Sequence, residues 1–331
     1  MVESDDKIVP FLSYARFCFH LRVKTLMVLP PYKGAVFRGA FGNALRRLVC
    51  VAKGAPCDSC LLRQKCLYIA LFEPSPPPDF LDAGKFLQAP RPYVLNPPLT
   101  TRQAFHPGET LDFELVLIGP AIDALPYFIH IFQEVGRRGL GPERGKYELV
   151  GVDHLQKGGN GETLCVFDGP SGNFNNFTLT PDSLALSGDA EVKKVTLNFL
   201  TPLRLRENGK LVTRLTSSLF FRRLAQRVSL LTAFYGEKGW GLSLTDPGTL
   251  LTKGNNLTIQ DDRLRWYDWE RYSQRQGDTL KFGGLQGMLS FKGRLESFLP
   301  YLRLGEYVNV GQGTTFGLGR YEINYERNPD N

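Results

Sequence analysis

Two runs of the order strand, helix, strand, strand, helix, strand follow one another along the chain. They predict an α+β fold of two tandem ferredoxin-like domains, the first carrying a cysteine-rich insertion at 50–72. Three observations support this. Apolar residues alternate at period two in some segments and recur at helical spacing in others. The 34 glycines and 22 prolines favour many short elements joined by tight turns. At about 150 residues per domain, 331 residues accommodate two cores. The boundary is expected near 185–192, dividing 1–190 from 191–331.

Residues 14–29 read as a strand with Phe17, Phe19, Leu21 and Val23 on one side and Arg16, Cys18, His20, Arg22 and Lys24 on the other. After the turn Pro30-Pro31-Tyr32-Lys33-Gly34, the residues Phe37, Phe41, Leu45 and Leu48 predict a helix over 36–51, with Arg38, Asn43, Arg46 and Arg47 on its polar side. The Pro-rich stretch 74–98 is expected as a surface loop. A strand over 111–118, a helix over 121–138 ending at Gly139-Leu140-Gly141, and a strand over 147–155 complete the first unit. In the second, alternation predicts a strand over 193–200 and amphipathic spacing a helix over 217–235. Strands around 257–269 and 279–293, a short helix near 294–303 and a last strand after the Gly-rich segment follow.

Hydrophobic residues make up 42% and charged residues 22%, which excludes disordered, collagen-like and coiled-coil chains. The most apolar stretch, 113–132, is broken by Glu114, Pro120, Asp123 and Pro126, short of the roughly 20 apolar residues a membrane span needs. The amino-terminal MVESDDKIVP is acidic and lacks an apolar core, so a cytoplasmic location without disulfides is expected.

The net charge of +7 resides in the second half, where 21 Lys/Arg face 14 acids, whereas residues 1–190 balance at 19 each. Within the first half, residues 16–65 nevertheless carry ten Lys/Arg against Asp58 alone. Such a concentration attracts polyanions, and nucleic acid is the expected partner, against the alternative of a merely solvated basic face.

Cys50, Cys57, Cys60 and Cys66 form C-x6-C-x2-C-x5-C, a spacing suited to a tetrahedral metal in a reducing compartment. Structural zinc is the first expectation, an iron–sulfur cluster the second, and reduced thiols without a metal the third. Lys53, Arg63 and Lys65 in the same segment are candidates for phosphate contact. Trp266, Tyr267, Trp269 and Tyr272 suit core packing first and base stacking second. Of four histidines, His20 on the basic strand face is the imidazole candidate for chemistry, while His130 is expected in a core or interface. Gly311, Gly313, Gly317 and Gly319 lie in VGQGTTFGLGRY ahead of a strand, which excludes a dinucleotide fingerprint. They permit close backbone approach to another chain or to phosphate.

Five segments, FRGAFGNALRR at 37–47, GLGPERGKYEL at 139–149, FLTPLRLRENG at 199–209, LKFGGLQGMLSFKG at 280–293 and VGQGTTFGLGRY at 310–321, together resemble a known family. It comprises the CRISPR-associated endoribonucleases that process precursor CRISPR RNA, within the repeat-associated mysterious protein (RAMP) superfamily. The resemblance implies tandem ferredoxin-like domains, a Gly-rich loop that helps hold repeat RNA, and cleavage at the base of a repeat hairpin with no metal cofactor for catalysis. In that chemistry a ribose 2′-OH attacks the adjacent phosphate, leaving a 2′,3′-cyclic phosphate and a 5′-hydroxyl, and needs a proton acceptor, a proton donor and cations.

Relatives often carry a histidine on or near the first helix. Here none lies between Pro31 and Ala52, and the matching region offers Tyr32, Lys33 and Arg38 instead. These three, with His20, are the expected catalytic residues. Arg46, Arg47, Arg204, Arg206, Arg271, Arg275, Arg320 and the four loop glycines are expected to bind RNA. Two other readings stay open: a non-catalytic RAMP subunit that holds guide RNA beside other subunits of an effector complex, and an iron–sulfur redox or sensor protein.

Overall fold

Phe17, Phe19, Leu21 and Val23 alternate inward along β1 (Tyr14–Val23), the third strand of a six-stranded sheet and the one that fixes the first unit. The computed structural model describes residues 12–53, 56–75, 89–156, 163–175, 192–236, 257–273, 278–281 and 283–327. After β1 come α1 (Gly34–Val49), the short α2 (Leu67–Phe72), β2 (Tyr93–Asn96), β3 (Thr110–Ile118), α3 (Leu125–Arg138), β4 (Tyr147–Leu155), β5 (Thr163–Asp168) and β6 (Asn173–Phe174). The sheet runs β2-β3-β1-β4-β5-β6, with β1 antiparallel to both β3 and β4. Register sets Phe19 opposite Phe113, and α1 and α3 cover that face with Phe37, Phe41, Phe128 and Phe132. The Phe41 and Phe128 rings stack at 4.4 Å. Burying an aromatic side chain contributes on the order of 2 kcal/mol, and this cluster is the centre of the first core.

The second unit repeats the plan with β7 (Val192–Leu203), α4 (Ser217–Tyr235), β8 (Thr258–Tyr267), β9 (Gly284–Lys292), α5 (Leu299–Val308) and β10 (Tyr321–Arg327). Its sheet runs β8-β9-β7-β10, the same order of equivalents as β2-β3-β1-β4. Thr216 caps α4 by accepting the Leu219 N–H at 3.3 Å, and Phe220 and Phe221 pack against Phe291. The second core extends across the junction, taking in Leu12, Tyr14, Val94, Val116 and Ile118 of the first unit. Tyr235 at the end of α4 donates its hydroxyl to the Pro90 carbonyl.

The tandem α+β architecture is as expected, with differences at element ends. The first strand stops at Val23, with a separate two-residue strand at Met27–Val28. Residues 119–124 form a 3-10 turn, and α3 proper starts at Leu125, before Pro126. The last helix occupies 299–308 in place of 294–303, because a 3-10 turn at 296–298 precedes Pro300 in its first turn. The surface loop expected over 74–98 is corrected at its end: Tyr93–Asn96 is a fully buried edge strand, paired through Leu95 with Leu115. His130 is exposed on α3, outside the core. The expected domain boundary, up to residue 191, lies outside the described residues. Among the described residues no helix is long and apolar enough to cross a membrane.

Candidate functional site

Three segments distant in sequence meet at the amino end of α1: the Tyr32-Lys33-Gly34 turn, the Gly-rich loop between α5 and β10, and the end of β2. Gly34 has no side chain, and the Phe316 carbonyl occupies the vacated space. A Cβ at Gly34 would stand 1.9 Å from that oxygen. The Tyr32 hydroxyl donates to the same carbonyl at 2.7 Å, while its ring lies 4.5 Å from that of Trp269. Gly317, with φ +80°, turns the loop against β2, where a Cβ would meet Pro97 at 2.3 Å. Thr201 on β7 fastens both sides of the turn, donating to the Gly317 carbonyl at 2.6 Å and accepting the Arg320 N–H at 2.9 Å. The Asn309 amide joins the units by donating to Asn96 Oδ1 at 3.0 Å and to the Leu318 carbonyl at 3.2 Å.

Arg38, one turn into α1, lies between two rings. Its guanidinium is 4.6 Å from the Phe72 ring of α2 and 5.1 Å from the Phe316 ring of the loop. Cation–π contacts of this kind favour a half-buried guanidinium held against aromatic faces. Lys33 is placed differently: it is fully buried, and its ammonium donates to the carbonyls of Pro31 at 3.1 Å and Thr100 at 2.5 Å. Burial, then the nearby Arg102 guanidinium, push its pKa down to about 8. Burial likewise pushes the Tyr32 phenol well above its ordinary value. Tyr32 and Lys33 thus act on main-chain carbonyls here and brace the loop and helix that hold Arg38.

His20 lies on the opposite face of β1, away from the helices. Register brings Asp112 of β3 and Asp153 of β4 to its two sides, with Nδ1 3.1 Å from Asp112 and Nε2 3.2 Å from Asp153. The Asp112 hydrogen bond, then the neighbouring Cys18, push its pKa up to about 11. Such an imidazole holds its proton at neutral pH and cannot accept one from a ribose. The native state binds this proton over a range where the unfolded chain has released it. The resulting stability is therefore full below about pH 6.5 and lost as pH rises through about 11. His20→Gln is expected to cost about 1 kcal/mol at pH 7, with the deficit shrinking in alkali; Asp112 is half exposed, which keeps the figure small. NMR of the wild-type ring checks the premise, and a titration midpoint near pH 6.5 would refute it.

The other expected contacts separate by exposure. Arg46 and Arg47 are exposed near the end of α1, and Arg206 is exposed on a short hairpin after β7. Arg204 is half-buried and donates to the Gly283 carbonyl at 2.8 Å. Arg320 reaches back to the first unit, pairing at 2.8 Å with Glu114, which also meets Arg16 at 3.6 Å. Gly311 faces the Arg204 carbonyl and Gly319 the Val310 carbonyl, while Gly313 packs on Leu318. The glycines therefore serve close packing within the chain, and Gln312 is the loop's exposed residue. Arg271 lies on a short strand whose side chains are not described, and Arg275 lies outside the described residues. Cys50, Cys57, Cys60 and Cys66 line a single pocket beside α2. Among the described residues the one group of three ligating atoms mutually within 4.8 Å is Cys18, His20 and Asp112.

Sequence reading missed Phe72, Phe316, Thr201 and Asn309 as partners at the α1 junction. Thr201 and Phe316 fall inside segments that the family resemblance singles out, whereas Phe72 and Asn309 carried no signal.

Comparison with known proteins bears on this arrangement. A family model described as an N-terminal domain matches residues 12–178, and one described as CRISPR-associated endoribonuclease Cas6 matches residues 197–321. The second half of the chain thus matches the Cas6 endoribonuclease family. An Archaeoglobus fulgidus protein described as uncharacterized is 27% identical to this chain over 303 residues, covering 89% of this chain and 92% of that one. Among solved structures, Thermus thermophilus Cas6 superposes with a TM-score of 0.53 at 15% identity, over 95% of this chain and 99% of that one. A Cas6 product complex gives 0.56 at 17% identity, over 94% and 99%. A partial Cas6-RT-Cas1–Cas2 complex gives 0.57 at 12% identity; there the chain covers 47% of the matched chain, less than half its length. These likenesses carry the fold.

Proposed function

We propose that this chain binds CRISPR repeat RNA and cleaves precursor CRISPR RNA into guide units without a catalytic metal. The ribose 2′-OH attacks the adjacent phosphorus, the bond to the 5′-oxygen breaks, and the proton lost by the 2′-OH is balanced by one gained at the leaving oxygen. The observation that carries this reading is Arg38, whose guanidinium lies over the Phe72 and Phe316 rings where the Gly-rich loop of one unit docks on the first helix of the other. A preorganised guanidinium stabilises charge building on the non-bridging phosphate oxygens. Tyr32 and Lys33 set its surroundings, and Arg46, Arg47 and Arg206 supply exposed cations for the RNA backbone.

Incubation of the full chain with repeat RNA in EDTA tests the proposal. A single cut leaving a 2′,3′-cyclic phosphate and a 5′-hydroxyl is expected. A second reading is favoured by the engagement of Tyr32, Lys33 and His20 with other groups of the chain: a subunit that holds guide RNA without cutting it. Tight, salt-sensitive binding with no product would select that reading.

A further inference from the structure

The segment between α1 and α2 lacks what ordinarily orders a chain. Its two 3-10 turns, 57–59 and 63–65, bury no residue. Leu61 is fully exposed, Val51 largely and Leu62 half so, and none of the described residues from 50 to 66 is buried. An excursion of this kind needs a cross-link, and small coreless segments commonly obtain one from a metal.

The four cysteines stand at the points where such a link would act. Cys50 follows the last turn of α1 and donates its N–H to the Arg46 carbonyl at 3.0 Å. Cys66 precedes α2, and its carbonyl accepts the Ala70 N–H at 2.9 Å. Cys57 and Cys60 bracket a tight turn closed by the Cys60 N–H on the Cys57 carbonyl at 3.4 Å. All four line one pocket, together with Arg46 and Arg63. Arg63 also donates to the Cys57 carbonyl at 3.2 Å. Two helix ends and one turn thus present four soft ligands, and two guanidinium groups offset the negative charge of a tetrathiolate.

We propose that Cys50, Cys57, Cys60 and Cys66 bind a single Zn²⁺ that ties the end of α1 to the start of α2. Four thiolates in tetrahedral array suit this ion, which carries no redox chemistry and serves structure. Each thiol gives up its proton on binding. No three of the four sulfurs lie mutually within 4.8 Å, so binding requires them to close in on the ion. The consequence reaches α2, whose Phe72 stacks on Arg38 and fills the space beside Gly42. The inference stands independently of RNA cleavage, because its readout is the metal.

Elemental analysis of the purified full chain is expected to give one zinc per chain and negligible iron. A mercurial thiol reagent should release that zinc to a chromogenic chelator in stoichiometric amount, a measurement that needs no variant. Cobalt exchanged into the site should show the visible bands of a tetrahedral thiolate complex. Cys57→Ser with Cys60→Ser should lose the metal, whereas Cys18→Ser and Cys165→Ser should keep it. Absence of metal, a brown protein holding iron and sulfide, or loss of zinc in Cys18→Ser would each overturn the proposal. The last outcome would move the site to Cys18, His20 and Asp112.

Discussion

Gly34→Ala is expected to push the Gly-rich loop off α1 and to destabilise the protein by about 3 kcal/mol or more, the upper range for overpacking. The added Cβ would stand 1.9 Å from the Phe316 carbonyl oxygen and 2.8 Å from the Tyr32 ring, and the first of these is backbone that cannot turn aside. Relief requires the loop to shift, and with it the Tyr32 hydrogen bond and the Phe316 ring over Arg38. Gly39→Ala on the same helix is the control: nothing lies within 4 Å of its Cβ position, so alanine there should be neutral or stabilising by about 0.5–1 kcal/mol through helix propensity. Thermal melting of both variants checks the pair. Equal midpoints would mean that the loop does not sit against α1.

The second large effect is on chemistry. Arg38→Ala should lower the cleavage rate by about 10²–10³, the usual loss when one preorganised donor at a developing oxyanion is removed, and weaken RNA binding by much less. Arg38→Lys should not restore the rate, because a compact, strongly hydrated ammonium does not replace a guanidinium over the Phe72 and Phe316 rings. Single-turnover cleavage and equilibrium binding on the same RNA separate the two effects. Equal losses in both would assign Arg38 to grip alone. Gly34→Ala should depress the same rate indirectly, so the two variants differ in stability while converging on activity.

Much of the fold was legible because its signals are local. The alternation of Phe17, Phe19, Leu21 and Val23 marks β1, and the helical spacing of Phe220, Leu224, Val228 and Leu231 marks α4, whose bounds fall where the pattern places them. The Leu67–Phe72 helix and the Tyr93–Asn96 strand were not legible, since each is short and lies among cysteines or prolines whose composition reads as loop. Their burial is settled by α1 and β3, which no local window contains. The candidate site divides in the same way. Arg38 stands out from its place on the polar side of a basic helix. Its stacking partners come from α2 and from a loop 278 residues later, and Asp112 and Asp153 reach His20 through strand register. Lys33 shows the limit of reading by type: a turn lysine before a helix suggests a solvated cation, yet it is sealed beneath the chain on two carbonyls.

The apolar layer at the junction ties the unfolding of one half to that of the other. Tyr14, Val94, Val116 and Ile118 belong by connectivity to the first sheet and by packing to the core beneath the second. Separated, the first half would expose these side chains and the second would lose one wall of its interior. The duplicated plan is therefore expected to come apart as a single cooperative body, with heat or denaturant dismantling both copies in one transition; two separate transitions in a melt would refute this.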